Sequence, residues 1–280
     1  MNYKYPYLIT IPSKARAAKQ LTVKLLDGCY PADQIYVFVE PQDYEHYQTV
    51  LGIKVMLVNI GQNDRGVAYV RNYILDYMQD KAKFIWMLDD DLTELYKRGE
   101  FLADKQYYKL ETLKPEEIKK ILDDSIEYMI KSPENIAQVA ISYTVSNWCN
   151  LKDVSFNARA WAIVAWNLAL ISKGNLRYDP NCKTFDDYDI TAQVLRRGFK
   201  NVLVFKYAFG NAKMSKTEGG LFKVYQDKAG IEQLVDYLIK KWGSAFVEKF
   251  YNEGHKQFEP QFHWAELAKN KAADLRGWLG

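Results

Sequence analysis

Cysteine and histidine are scarce in these 280 residues: only Cys29, Cys149 and Cys182, and only His46, His255 and His263. The cysteines are odd in number, lie far apart and show no metal-ligand spacing. That argues against a disulfide framework and for a reducing compartment. No run approaches the roughly 18 apolar residues of a membrane span. The opening MNYKYPYLITIPSK holds no apolar stretch of signal-peptide length. The expectation is a soluble, cytoplasmic protein with no membrane partner. Strong charge of one sign is also missing: 38 basic and 35 acidic residues leave a net charge of +3. Such mild basicity permits a nucleotide or nucleic-acid partner without indicating one. Neither an internal repeat nor a low-complexity linker divides the chain.

What is present is an ordinary globular balance, 48% hydrophobic and 26% charged, with strand and helix signals in alternation. YLITIP (7–12), QIYVFVE (34–40), KVMLVNI (54–60) and KFIWML (83–88) read as strands. A helical stretch runs from Lys14 to about Leu26, and GVAYVRNYILDYMQ (66–79) carries a helical apolar stripe. A polar, less regular stretch then reaches Leu113, followed by a helix over 114–131 with Pro115 in its first turn. IAQVAISY (136–143), WAIVAWNLALI (161–171) and NVLVFKY (201–207) read as further strands, and DYDITAQVLRRG (187–198) as a helix with a glycine stop. This alternation predicts an α/β fold with a mostly parallel central sheet and helices on both faces. Residues 1–220 form the expected domain, and 221–280 a helical C-terminal extension packed on it.

The stretch KFIWMLDDDLTELY (83–96) concentrates the chemical signal. Five apolar residues, Phe84 to Leu88, run directly into Asp89, Asp90 and Asp91. Like charges so close repel, and burying them costs several kcal/mol unless something positive stands between. A metal ion, a phosphate-bearing substrate held by that metal, or plain solvent exposure would each resolve the cost. Ligands of open α/β sheets bind beyond the carboxyl ends of the strands, where these acids fall. Hard carboxylate oxygens suit Mg²⁺ or Mn²⁺ bridging diphosphate oxygens. A second acidic cluster, Asp186, Asp187 and Asp189, opens the helix at 187–198. Helix capping is its ordinary explanation, for which one acid would suffice. Arg71 interrupts an apolar helical stripe and needs an anionic partner, either a structural carboxylate or a substrate phosphate.

Two families share parts of this pattern. DDDLT fits the D-x-D-x-T nucleophile motif of haloacid-dehalogenase-type phosphatases, but that motif lies on a first strand, and three expected strands precede it here. GQNDRGVAYVRNYILDYMQDKAKFIWMLDDDL (61–92) resembles the G…ARN…D-x-D segment of GT-A-fold glycosyltransferases. GNLRYDPNCKTFDDYDITAQVLRRG (174–198) resembles their later acidic segment, with Asp186 where that family has glutamate. Together with IPSKAR, these motifs are similar to a phage group of DNA glycosyltransferases associated with TET-type and base-J-type hydroxylases.

That resemblance implies a UDP-sugar donor, such as UDP-glucose or UDP-arabinose. It implies 5-hydroxymethylcytosine (or hydroxymethyluracil) in DNA as acceptor, and Mn²⁺ or Mg²⁺ as cofactor. Asp89 and Asp91 become the candidate metal ligands, and Asp187 the base for the acceptor hydroxyl, with inversion at the sugar. Pro12, Arg16, Glu40, Arg65, Arg71, Asp89 and Asp90 become candidate contacts to the nucleotide sugar. Asn147, Trp148, Arg159 and Asp186 become candidate acceptor contacts. None of the three histidines falls just after the last core strand, where many GT-A enzymes place a late metal ligand; Lys213 or Lys216 stands there instead. A saccharide acceptor, or a binding module without turnover, would use the same donor-side features. Sugar, metal and oligomeric state are not legible.

Overall fold

The computed structural model describes residues 3–104, 107–144, 152–212 and 227–269. Its centre is β4 (Phe84–Leu88), whose five residues are all buried. Apolar side chains of this size contribute about 1.5–3 kcal/mol each when removed from water, so a strand apolar on both faces lodges mid-sheet. On one side of it lie β1 (Leu8–Pro12), β2 (Ile35–Val39) and β3 (Met56–Asn59), all parallel to it. On the other lie β9 (Ile163–Asn167), β7 (Ile136–Tyr143), β10 (Lys200–Asn211), β5 (Leu92–Leu102) and β6 (Tyr107–Thr112). A short β8 (Val154–Phe156) pairs with β10. The order is β3-β2-β1-β4-β9-β7-β10-β5-β6, with β5, β8 and β9 running against the other strands. The sheet is therefore mixed and largely parallel, as expected.

Helices α1 (Leu21–Leu26), α2 (Tyr44–Leu51) and α3 (Val67–Met78) connect the first four strands. Next come α4 (Pro115–Lys131), α5 (Leu168–Gly174) and α6 (Asp186–Arg196). After α6 comes Gly198, whose φ of +80° is left-handed and lets the chain turn straight into β10. Separate clusters of buried side chains cover the two sheet faces. Among the described residues, no helix is long and apolar enough to cross a membrane.

Four local expectations are corrected. The helix expected from Lys14 to Leu26 is broken, because Ala15 is left-handed (φ +54°) and the Ala15 and Arg16 amides donate to Asp43 and Tyr47 rather than to a helix. The stretch 161–171 is not one strand: Asn167 ends β9, and its side chain accepts from the Leu170 amide to cap α5. The polar stretch before Leu113 forms the antiparallel pair β5–β6, most of whose residues are half-buried or exposed at the end of the sheet. The extension is not wholly helical. Its described residues comprise α7 (Lys228–Trp242), the hairpin β11 (Val247–Asn252) and β12 (Gln257–Phe262), and α8 (Trp264–Lys269). Its Ile231, Val235, Leu238, Val247, Phe262 and Leu267 pack on Cys182, Phe185 and Ala192 in and before α6.

Candidate active site

The carboxyl ends of β1, β2 and β4 and the start of α6 meet at one edge of the sheet. β4 delivers Asp89, whose amide donates to the Ala162 carbonyl at 2.8 Å and so fixes where the acidic turn begins. Each acid then meets a different environment. Asp90 is buried and fully engaged: Arg16 Nη1 lies 2.5 Å from Oδ1, and Ser13 Oγ donates to Oδ2 at 2.6 Å. Asp89 accepts from Arg71 Nη2 at 2.9 Å. Among the described side chains, Asp91 faces the Arg16 guanidinium at 3.8 Å, too far for a hydrogen bond. Burial first, then repulsion from Asp89 and Asp90, pushes the Asp91 carboxyl up to about 7.

Arg71 joins the two acidic segments. It stands on α3 and donates from Nη2 to Asp89 and from Nη1 to Asp186 at 2.5 Å, with its guanidinium 5.3 Å from the centre of the Tyr178 ring. Its Nε is buried without a hydrogen-bond partner. Burial, and secondarily repulsion from Asp187, pushes the Asp186 carboxyl up to about 6 despite the Arg71 pairing. Burial likewise raises Asp89 against the pull of Arg71. Asp187 accepts from Arg159 Nε at 2.5 Å, while Arg159 Nη1 donates to the Tyr188 hydroxyl at 2.9 Å. Arg159 lies against both Tyr188 and Trp161.

Around β1 and β2 the polar groups are similarly fixed. Glu40, buried at the end of β2, accepts from Lys14 Nζ and from Gln42 Nε2, the latter at 2.6 Å. Lys14 also pairs with Asp64. Pro12 closes β1 and hands the chain to Ser13. The structure thus brings together Pro12, Arg16, Glu40, Arg71, Asp89, Asp90, Asp91, Arg159, Asp186 and Asp187. Arg65 is exposed on the loop before α3, next to the Lys14 partner Asp64, with its guanidinium over the Tyr69 ring. Asn147, Trp148, Lys213 and Lys216 lie outside the described residues.

The donor set fits a divalent cation at Asp91. Asp89, Asp90, Asp91, Asp186 and Asp187 face Arg16, Arg71 and Arg159, leaving an excess of negative charge. Among the described side chains of these five acids, Asp91 is the one with no cation within hydrogen-bonding distance. Mg²⁺ and Mn²⁺ accept one or two carboxylates together with water and substrate phosphates. Elsewhere among the described residues, Asp179, Cys182 and Asp189 bring three potential ligand atoms within 4.8 Å of one another. Lys241 already fills that space, its ammonium 2.6 Å from Asp179 and 2.7 Å from Asp189. In this structure the three groups form an ion-pair pocket around the Lys241 ammonium.

Three side chains here escape sequence reasoning. Ser13 and Lys14 lie inside the quoted IPSKAR segment, but a small hydroxyl and a single lysine carry no pattern of their own. Lys241 has no local signal, since its partner Asp179 is 62 positions away.

Several solved structures are similar to this chain. The S. aureus TarS 1-349 structure is 13% identical, with a TM-score of 0.44 over 84% of this chain and 66% of that one; the chain thus spans just under two thirds of its length. Glucosyl-3-phosphoglycerate synthase from Mycobacterium tuberculosis, in complex with Mn²⁺, UDP-glucose and phosphoglyceric acid, is 11% identical, with a TM-score of 0.50 over 92% of this chain and 86% of that one. A mycobacterial protein of similar fold is 10% identical, with a TM-score of 0.51 over 92% and 84% of the two chains. At such identities the likeness to the latter two shows a shared fold. No curated protein sequence matches significantly. Residues 7–220 match the model of the TET-Associated Glycosyltransferase family, and with more than half its length so matched the chain belongs to that family.

Proposed function

We propose that this protein transfers a sugar, glucose or arabinose, from a UDP-sugar to the hydroxymethyl oxygen of 5-hydroxymethylcytosine in DNA, with inversion at the anomeric carbon. The observation that carries the reading is the Arg71 bridge. It joins the acids after β4 to the acids opening α6, so donor-side and acceptor-side groups share one site. Family membership, with its TET association, supports a modified base as acceptor. The similarly folded glucosyl-3-phosphoglycerate synthase, described with Mn²⁺ and UDP-glucose, supports that donor and cofactor class.

Asp91, with Asp89 as the second candidate ligand, would hold Mn²⁺ or Mg²⁺, which supplies charge neutralisation for a departing diphosphate. Glu40 and Lys14, with Arg16 behind them, lie at the strand ends suited to the nucleoside and orient it. Asp187 takes the proton of the acceptor hydroxyl as its oxygen bonds to the anomeric carbon, while the bond from that carbon to the UDP oxygen breaks. The proton ends on Asp187 and the electron pair on UDP. Arg159, between Asp187 and the Trp161 ring, orients that carboxylate and faces the acceptor side. A hydroxymethyl group in duplex DNA projects into the major groove, so the enzyme must reach in or extrude the base.

The test is UDP release with Mn²⁺, UDP-glucose or UDP-arabinose, and hydroxymethylated or unmodified DNA. Release that requires the modified DNA, with a matching mass gain on it, is expected. Donor hydrolysis indifferent to DNA would redirect the acceptor towards a saccharide, and donor binding without any release would leave a binding module.

A further inference from the structure

We infer that the C-terminal extension, which lies beyond the family match, completes the active site: Lys241 and Trp242 are positioning residues for the acidic turn that carries Asp186 and Asp187. This rests on the reading of Asp187 as the group that takes the acceptor proton.

The observation starts with Asp189, the third acid of the cluster. It is completely buried and is held not by Arg71 but by the extension. Lys241 Nζ lies 2.7 Å from it, Trp242 Nε1 donates to it at 2.9 Å, and Gln193 Nε2 donates at 2.7 Å. The same Lys241 ammonium lies 2.6 Å from Asp179, which also accepts from the Tyr237 hydroxyl at 2.7 Å. One cation from the extension therefore clamps two acids that bracket the segment 180–188.

The beginning of α6 needs such a clamp. Phe185 precedes the helix and gives it no side-chain cap. Asp186 and Asp187 can face the site because Asp189, in the same turn, is anchored from outside. A second grip runs through Tyr188, which packs on Phe262 and stacks on Trp264 of the extension. Its hydroxyl accepts from Arg159, the residue that also binds Asp187. The extension thus holds Tyr188 and Asp189, the two residues that follow Asp187, by ring contacts and by buried charge. A shift of this turn by about 1 Å would cost on the order of a hundredfold in rate.

The test uses the full chain, comparing the parent with Lys241→Met, Lys241→Arg and the pair Asp189→Asn/Lys241→Met. Melting temperature, UDP affinity, and turnover per UDP-binding site on hydroxymethylated DNA are measured for each. Lys241→Met is expected to lose roughly tenfold or more in kcat per UDP-binding site, with UDP affinity within about twofold of the parent, and Lys241→Arg to return most of the loss. The paired variant removes charge and countercharge together, so it is the one to read if Lys241→Met does not fold, and it too should turn over more slowly. Parental kcat per UDP-binding site in folded Lys241→Met or in the paired variant, whatever the melting temperature, would overturn the inference. A parent that transfers no sugar would instead overturn the functional reading and the inference with it.

Discussion

Arg71 and Asp186 stand 115 positions apart in the sequence and 2.5 Å apart in the fold. Their ion pair is largely out of water, with side chains 14% and 6% exposed. Removing one partner of such a pair leaves an uncompensated buried charge, at a cost of roughly 3–5 kcal/mol. Arg71→Met should therefore lower stability by about that amount in urea unfolding and abolish transfer. Arg71→Lys keeps the charge but not the fork that reaches Asp89 and Asp186 together, so it should fold better than Arg71→Met and still transfer poorly.

Asp91 gives the proposed cation site a pH test. Its carboxyl sits at about 7 in the folded chain against an ordinary value of 3.8. Between those values the folded state holds more protons than the unfolded state, so this group's contribution to stability falls as pH rises and is lost above about 7. Asp91→Asn should then be more stable than the parent at pH near 8 and closer to it at pH near 5, as thermal melts at both would show. A bound divalent cation relieves the same repulsion. Mn²⁺ should raise the parent's melting temperature more at the higher pH and leave that of Asp91→Asn nearly unchanged.

These groups are unequally legible in the sequence. The run from Phe84 to Leu88 into three aspartates marks both a central strand and its acidic end, because a strand buried on both faces has no polar positions to blur it. The start of α6 is legible for a related reason, since acids cluster there beyond what capping requires. β5 and β6 are not, because strands with few fully buried positions and charges such as Glu94, Lys97 and Arg98 among their apolar residues resemble a loop. Asn167 hides the break between β9 and α5 within an apolar run. Lys241 is beyond reach, since what makes it matter is the fold's juxtaposition of Asp179 and Asp189.

Glu40 is buried between Lys14 and Gln42 at the end of β2, where a nucleoside would lie. Glu40→Gln keeps the shape and removes the charge. It should raise the KM for the UDP-sugar several-fold while changing kcat little, the pattern of a contact equally strong in ground and transition states. Steady-state kinetics with the donor varied would show it, and a fall in kcat at constant KM would place Glu40 in the chemical step instead.

Asp187 carries the most direct prediction. Replacing it with Asn preserves shape and an acceptor oxygen for Arg159 but removes the capacity to take a proton. Loss of a general base typically costs about 10²–10⁴-fold, so kcat should fall by roughly that factor while UDP affinity stays near the parent's. The displacement expected of a base opposite a departing diphosphate also fixes the product's stereochemistry. An α-linked donor should yield a β-linked sugar on the modified base, read from the anomeric proton coupling by NMR. Retention of configuration would exclude a single in-line displacement and would remove Asp187 from the role of its base.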